Sequence, residues 1–345
     1  MHRRLLVACL GLGFIGCGGD NASQVIGNPV NVFDLSMARG TDVGDMTVVT
    51  GDSPDLAMSN AKGCNGVYSQ TTIAQMRQAA MTGCVELDNV VSIATSPVSA
   101  TSTSIRIVVQ DAAGGDYSAI NVSCSSKSTS HPCTAFSVAK NILAGRSVTV
   151  QGTYFKGSAS KGGYELLDLD SITDNASGTA PAPQMVALAD IERSANKTAY
   201  WFQKVTLSIA STDALKMYDF SPAEFKSSTS TTACGSYYGF GMLPKSATGT
   251  AGAACSGTTQ PAALTTVNAN EVLFGTDFHG GFTANSECGC ISTKTMKPFP
   301  GLLSAASTLS GTVSGILFYD ASAATGYQYL SPLTTADAPI TNTSM

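Results

Sequence analysis

The sequence predicts a mainly β protein built as two tandem small antiparallel barrels, each preceded by a short helix. Three observations predict it. The pattern V-x-G-x-x-F-x7-G-Y-x-x-L occurs twice, in "VQGTYFKGSASKGGYELL" from Val150 and "VSGILFYDASAATGYQYL" from Val313. Val150/Val313, Gly152/Gly315, Phe155/Phe318, Gly163/Gly326, Tyr164/Tyr327 and Leu167/Leu330 all share one offset. Between polar loops, short runs alternate apolar and polar residues, the period of a half-buried strand. Apolar pairs at helical spacing stand upstream of each copy. The alternative architecture is a duplicated β-sandwich.

Taken in order, the first elements precede the fold. Arg3 and Arg4 form a positive start, Leu5 to Ile15 an apolar run of eleven, and Phe14-Ile15-Gly16-Cys17 ends it. That run is too short for a permanent membrane helix, which needs about 20 residues. Phe14-Ile15-Gly16-Cys17 resembles the bacterial lipobox, although Phe14 stands where Leu is usual. The resemblance implies a signal peptide over 1–16 and diacylglycerol on Cys17. An ordinary secretory signal with an incidental cysteine is the competing reading. Gly18 rather than Asp follows the cysteine, so the expected address is the outer membrane or cell surface. Residues 17–63 repeat "FDLSM", "GDM" and "PDLAM" without apolar periodicity and read as a disordered tether. They resemble the Asp-Leu-Ala-Met linkers of myxobacterial-type lipoproteins.

The first folded domain is expected over 64–178. "TIAQMR" places Ile73 and Met76 at helical spacing, and a strand-like run starts at Cys84 in "CVELDNVVSIATS". "SIRIVVQD", "SAINVSCS" and "SVTVQGTYF" follow, and then a strand opening with Gly163-Tyr164. The second domain is expected over 179–345. "ALADIE" supplies Leu188 and Ile191, and "YWFQKVTLSIAST" the next strand, with Trp201 as a core anchor at its head. Ser-Ile-Ala occurs in both first strands, at Ser92-Ile93-Ala94 and Ser208-Ile209-Ala210, and serves as a landmark. From Ile93 to Val150 is 57 residues, from Ile209 to Val313 it is 104, so copy two carries a cysteine-rich insertion at about 220–300. Insertions of this kind are cheap in stability and often carry function. Gly152 and Gly315 fit a bulge or tight barrel corner.

This order of elements resembles the OB-fold-like domains of bacterial exported proteins, including those that accompany secreted nucleases. The resemblance covers about 72–175 and 187–338. It implies a binding or scaffold module and brings no catalytic residue with it. In such barrels the last loop and the strand face beneath it bind oligosaccharide or oligonucleotide. Tyr154, Tyr164, Tyr319, Tyr327 and Tyr329 are the candidate ligand-binding residues, and aromatic closure of a barrel end is the plainer role for them.

Cysteine usage agrees with export. Beyond Cys9 and Cys17, eight remain, an even number that reads as disulfides. Cys124 and Cys133 bracket a short polar loop and should pair, leaving Cys64 for Cys84. Cys288 and Cys290 are too close to pair with each other, so one takes Cys234 and the other Cys255, with the choice open.

Charge excludes one class of function. Only 12% of residues are charged and the net charge is −5, so no basic stripe exists for nucleic acid, which is not expected as a partner. Asp277, His279, Cys288 and Cys290 fall close together, and an enzyme or metal-binding protein using the insertion is the alternative function. Cys-x-Cys is not a common structural zinc spacing, so no metal ligand or cofactor is expected. His131 reads as a solvated loop residue. Ser-x-x-Lys at Ser137–Lys140 lacks the companion motifs of acyl-transfer enzymes. Asp168 and Asp170 alternate with Leu167 and Leu169 and should face solvent. The expected function is a non-catalytic cell-envelope lipoprotein, a surface binding or structural module. Its expected partners are the membrane, through the lipid anchor, and a glycan or envelope protein.

Overall fold

The computed structural model describes residues 64–79, 82–96, 98, 102–128, 132–156, 165–220, 239–252, 264, 268–275, 305–320 and 326–342. Within them the chain is mainly β and forms two sheets. The expected signal, Cys17 and the tether lie outside the described residues, as do Gly163, Tyr164, His131, His279, Cys234, Cys255, Cys288 and Cys290.

A two-residue strand, β1 (Ser69–Gln70), leads into α1 (Ile73–Gln78). The Thr72 hydroxyl accepts from the Gln75 amide at 3.2 Å, and the Gln75 side chain accepts from the Thr72 amide at 3.1 Å. This capping box satisfies donors that every helix start leaves unpaired. Ile73 and Met76 are fully buried one turn apart, as their spacing predicts.

Five strands then close a barrel: β2 (Gly83–Thr95), β3 (Ser104–Gln110), β4 (Ala119–Ser125), β5 (Arg146–Lys156) and β6 (Glu165–Ser177), with the short α2 (Phe136–Ala139) between β4 and β5. The order is β2-β3-β4-β6-β5, and β5 pairs back onto β2. Only β4 and β6 run parallel within it. The long β2 serves β5 with its first half and β3 with its second. Register shifts between Leu87 and Val90, and between Ser92 and Ala94, bend it between the two partners. Closure leaves few unpaired edges, and alternate residues such as Val148, Val150 and Tyr154 fill the interior.

The second sheet starts alike, with β7 (Gln184–Met185) and α3 (Leu188–Ile191). Its strands are β8 (Lys204–Ile209), β9 (Leu215–Asp219), β10 (Gly239–Pro244), β11 (Val272–Gly275), β12 (Ser307–Leu309), β13 (Gly311–Asp320), β14 (Tyr327–Ser331) and β15 (Ile340–Asn342). They are ordered β15-β12-β9-β10-β11-β14-β13-β8-β7. The shared offset is a shared register. Tyr154 opposes Leu167 and Leu317 opposes Leu330, while Leu167 meets Val122 in parallel as Leu330 meets Phe274. Gly152 opposes Val85, and Gly315 opposes Val205.

Both glycines are required by close approach. A Cβ at Gly152 would lie 2.2 Å from the Asp168 carbonyl oxygen, and one at Gly315 would lie 2.7 Å from that of Ser331. The Ser-Ile-Ala landmark, in contrast, is not a shared position. Ile209 opposes Gly311 as Val90 opposes Val148, whereas Ile93 lies past the first bulge of β2, on the half paired with β3. The bulge adds one residue to β2 that β8 lacks. Trp201 also differs from expectation, because it sits in a turn ahead of β8 rather than in the strand.

Cys64 is bonded to Cys84 and Cys124 to Cys133, with Cα atoms 5.5 Å and 5.2 Å apart. These are the partners that spacing suggests for the first four cysteines. The buried apolar residues of both sheets join in one continuous cluster.

Candidate functional site at the sheet junction

Arg77, on the last turn of α1, is 2% exposed. Its Nε donates to Glu165 Oε1 at 2.9 Å and its Nη2 to Glu165 Oε2 at 3.0 Å, a forked pair with the first residue of β6. Nη1 donates to the carbonyls of Ala119 at 3.1 Å and Trp201 at 3.2 Å, and Nη2 also reaches the Thr198 carbonyl at 2.8 Å. A guanidinium has five N–H donors, and these bonds use all five. Two of the accepting carbonyls belong to the segment that enters the second sheet. Arg77 therefore ties the sheets together and has no donor left for a ligand.

Supporting groups complete the junction. Tyr154 donates its hydroxyl to Glu165 Oε1 at 2.5 Å, and burial followed by the Glu165 charge pushes that phenol far above its ordinary value. The guanidinium carbon lies 5.4 Å from the ring centre of Tyr117 and 5.5 Å from that of Phe202. Tyr117 donates its amide to Ala199, and Gln203 bonds both Gly115 and Ala199. Tyr117 and Phe202 have φ of +61° and +67°, where a side chain costs roughly 1–2 kcal/mol each.

A cavity of about 260 Å³ opens at this junction, lined by Arg77, Gln78, Tyr117, Lys156, Glu165, Thr198 and Trp201. Lys156 donates to the Arg77 carbonyl at 2.6 Å. Trp201 is 8% exposed and stacks on Tyr319 with ring centres 3.9 Å apart. Its indole N–H is buried and has no hydrogen-bond partner among the described residues.

The second sheet holds its own buried ion pair. Arg193, just beyond α3, donates to Glu271 Oε2 at 2.8 Å, and its amide bonds the Glu271 carbonyl. Glu271 Oε1 has no hydrogen-bond partner among the described residues and lies against Gly241, where a Cβ would be 1.7 Å away. Burial, opposed by Arg193 and reinforced by Asp219, raises the Glu271 carboxyl to about 7. Gln328 takes the position in β14 that Glu165 takes in β6, and it donates to the carbonyls of Asp190 and Glu192 at the end of α3.

Of the tyrosines singled out by sequence, Tyr154, Tyr327 and Tyr329 are buried at 0%, 3% and 5% exposure. The Tyr329 ring stacks on Phe318 and lies 5.9 Å from that of Tyr327. Tyr319 is half-buried against Trp201, and Gly326, at φ +59°, leaves room for its hydroxyl. Asp168 and Asp170 alternate with buried Leu167 and Leu169, and Tyr68 donates to Asp170. Ser137 and Lys140 lie on the exposed side of α2.

The groups that sequence reasoning missed, Arg77 and Glu165, left a signal. Arg77 follows Ile73 and Met76 on the apolar face of α1, and Glu165 shares parity with Leu167 and Leu169. Opposite charges on two inward faces imply a buried pair. No family model matches the chain, and no curated protein does either.

Proposed function

We propose that the chain is a non-catalytic cell-envelope lipoprotein in which two tandem OB-like barrels form one rigid binding module behind a lipidated tether. The observation that carries this reading is the pairing order of the first barrel and its echo in the second sheet. Read as an OB barrel, β2, β3, β4, β5 and β6 are strands one to five, with the third and fifth parallel and the first closing on the fourth. In the second sheet, β8 and β9 together stand for strand one, and β12 and β13 for strand four. The two bonded cysteine pairs support an oxidising, exported setting. In OB barrels the ligand lies against strands two and three and the loops beside them, which makes a glycan or envelope component the expected partner by fold analogy.

Two measurements test this. Cys17→Ser should move the protein from the membrane fraction to the soluble exported fraction, and a mutant that stays with membranes defeats the anchor. The released full chain should then bind at least one member of a panel of glycans and envelope fractions. Silence across the panel defeats the binding module.

A further inference from the structure

We infer that the junction cavity is a binding site for a single acidic sugar residue, such as a hexuronic acid at the end of a glycan. The inference builds on the glycan-binding side of the proposed function but uses a different place from the barrel loops. Size comes first. Pockets for drug-sized ligands run to about 300–1,000 Å³, and this one, at about 260 Å³, suits one pyranose ring rather than an oligosaccharide.

Polarity comes second. Arg77 spends all five donors on protein acceptors, and Glu165 accepts from Arg77 at both oxygens and from Tyr154. The strongest charges in the cavity wall therefore cancel each other. What remains is the Lys156 ammonium, which makes one bond of 2.6 Å among the described residues out of the three it can make, and the Gln78 amide at the exposed rim, which can both donate and accept. The Trp201 indole N–H is sealed off from solvent and takes no part in this donor set. With Arg77 paired to Glu165, the Lys156 ammonium is the uncancelled charge of the wall, and it selects a guest that carries a carboxylate.

Shape comes third. Two aromatic residues, Tyr117 and Trp201, are among those that line the cavity, a composition that suits the apolar C–H face of a pyranose. Tyr117 keeps its place there despite a left-handed backbone, secured by its amide bond to Ala199 and its hydroxyl contact with Thr198 at 3.3 Å. Strain of this kind persists where surrounding structure fixes it and is common at ligand clamps.

Trp201 is the single tryptophan of the chain, so its fluorescence reads this cavity directly. Titrating the full-length Cys17→Ser chain with glucuronate should shift or quench that emission saturably, at a dissociation constant on the order of 0.1–1 mM for so small a ligand. Glucose should bind at least tenfold more weakly, and so should acetate. Lys156→Gln and, independently, Gln78→Ala should each weaken glucuronate binding several-fold at unchanged thermal midpoint. No saturable change with glucuronate overturns the inference, as does an equal response to glucose or acetate. A response indifferent to both substitutions overturns it too. Glycan-panel binding that leaves Trp201 emission unchanged defeats the cavity site and spares the binding module. A glucuronate response without panel binding does the reverse.

Discussion

Glu271 and Arg77 are two solutions to one problem, a charge held inside a β core. Arg77 is matched by a forked carboxylate and three carbonyls, whereas among the described residues Glu271 has one arginine, a neighbouring buried Asp219 and an oxygen with no donor. The consequence is a pH dependence of definite sign. With its carboxyl raised from 4.5 to about 7, Glu271 stays protonated in the fold where the unfolded chain has already released the proton. Stability is fully present below about pH 4.5 and is lost as pH rises through about 7, by up to roughly 3 kcal/mol. Thermal midpoints between pH 5 and 8 should fall for the wild type and flatten for Glu271→Gln; a mutant with the wild-type slope assigns the effect elsewhere. Truncating Arg77 acts differently. Arg77→Met leaves Glu165 buried without its partner and should cost about 3–5 kcal/mol in urea unfolding. A double mutant with Glu165→Leu should recover much of that loss.

At the scale of the element, the duplicated hairpin was legible because it is governed by short-range constraints. Val, Gly and Leu recur at one offset since Gly152 and Gly315 each let a neighbouring carbonyl approach, and register fixes the rest. The start of α1 was legible for a similar reason, with Ile73 and Met76 on one face. The first strand was legible from Cys84, but its alignment with β8 was not, because the bulges in β2 depend on closure of the whole barrel, and a shared Ser-Ile-Ala string hid the shift. Neither was the junction. Its contacts join residues 77, 165 and 198–201, and nothing local announces which carbonyls a distant guanidinium will find. The glycine role is testable: Gly152→Ala should destabilise by about 1–3 kcal/mol in denaturant titrations. Gly315→Ala should cost less, since its clash is 2.7 Å rather than 2.2 Å. Equal and negligible effects would remove the close-approach explanation.

For the whole molecule, the continuous core and the Arg77 bonds imply one unfolding event for both sheets. Calorimetry of the wild type should give a single transition, and Arg77→Met should broaden or divide it. If the wild type already melts in two separated steps, the junction is not a cooperative link. The Cys64–Cys84 bond bears on the molecule in another way. Only the two-residue β1 and the α1 turn separate Cys64 from the long β2. A pull arriving along the chain from the N-terminal side would, without the bond, peel β1 and α1 away one contact at a time. With it, tension crosses directly into β2, which is zipped along its length to β5 and β3, so that the load is shared among many bonds in shear. A force applied to the chain ahead of Cys64 is then borne by the most extensively paired strand rather than by β1 and α1.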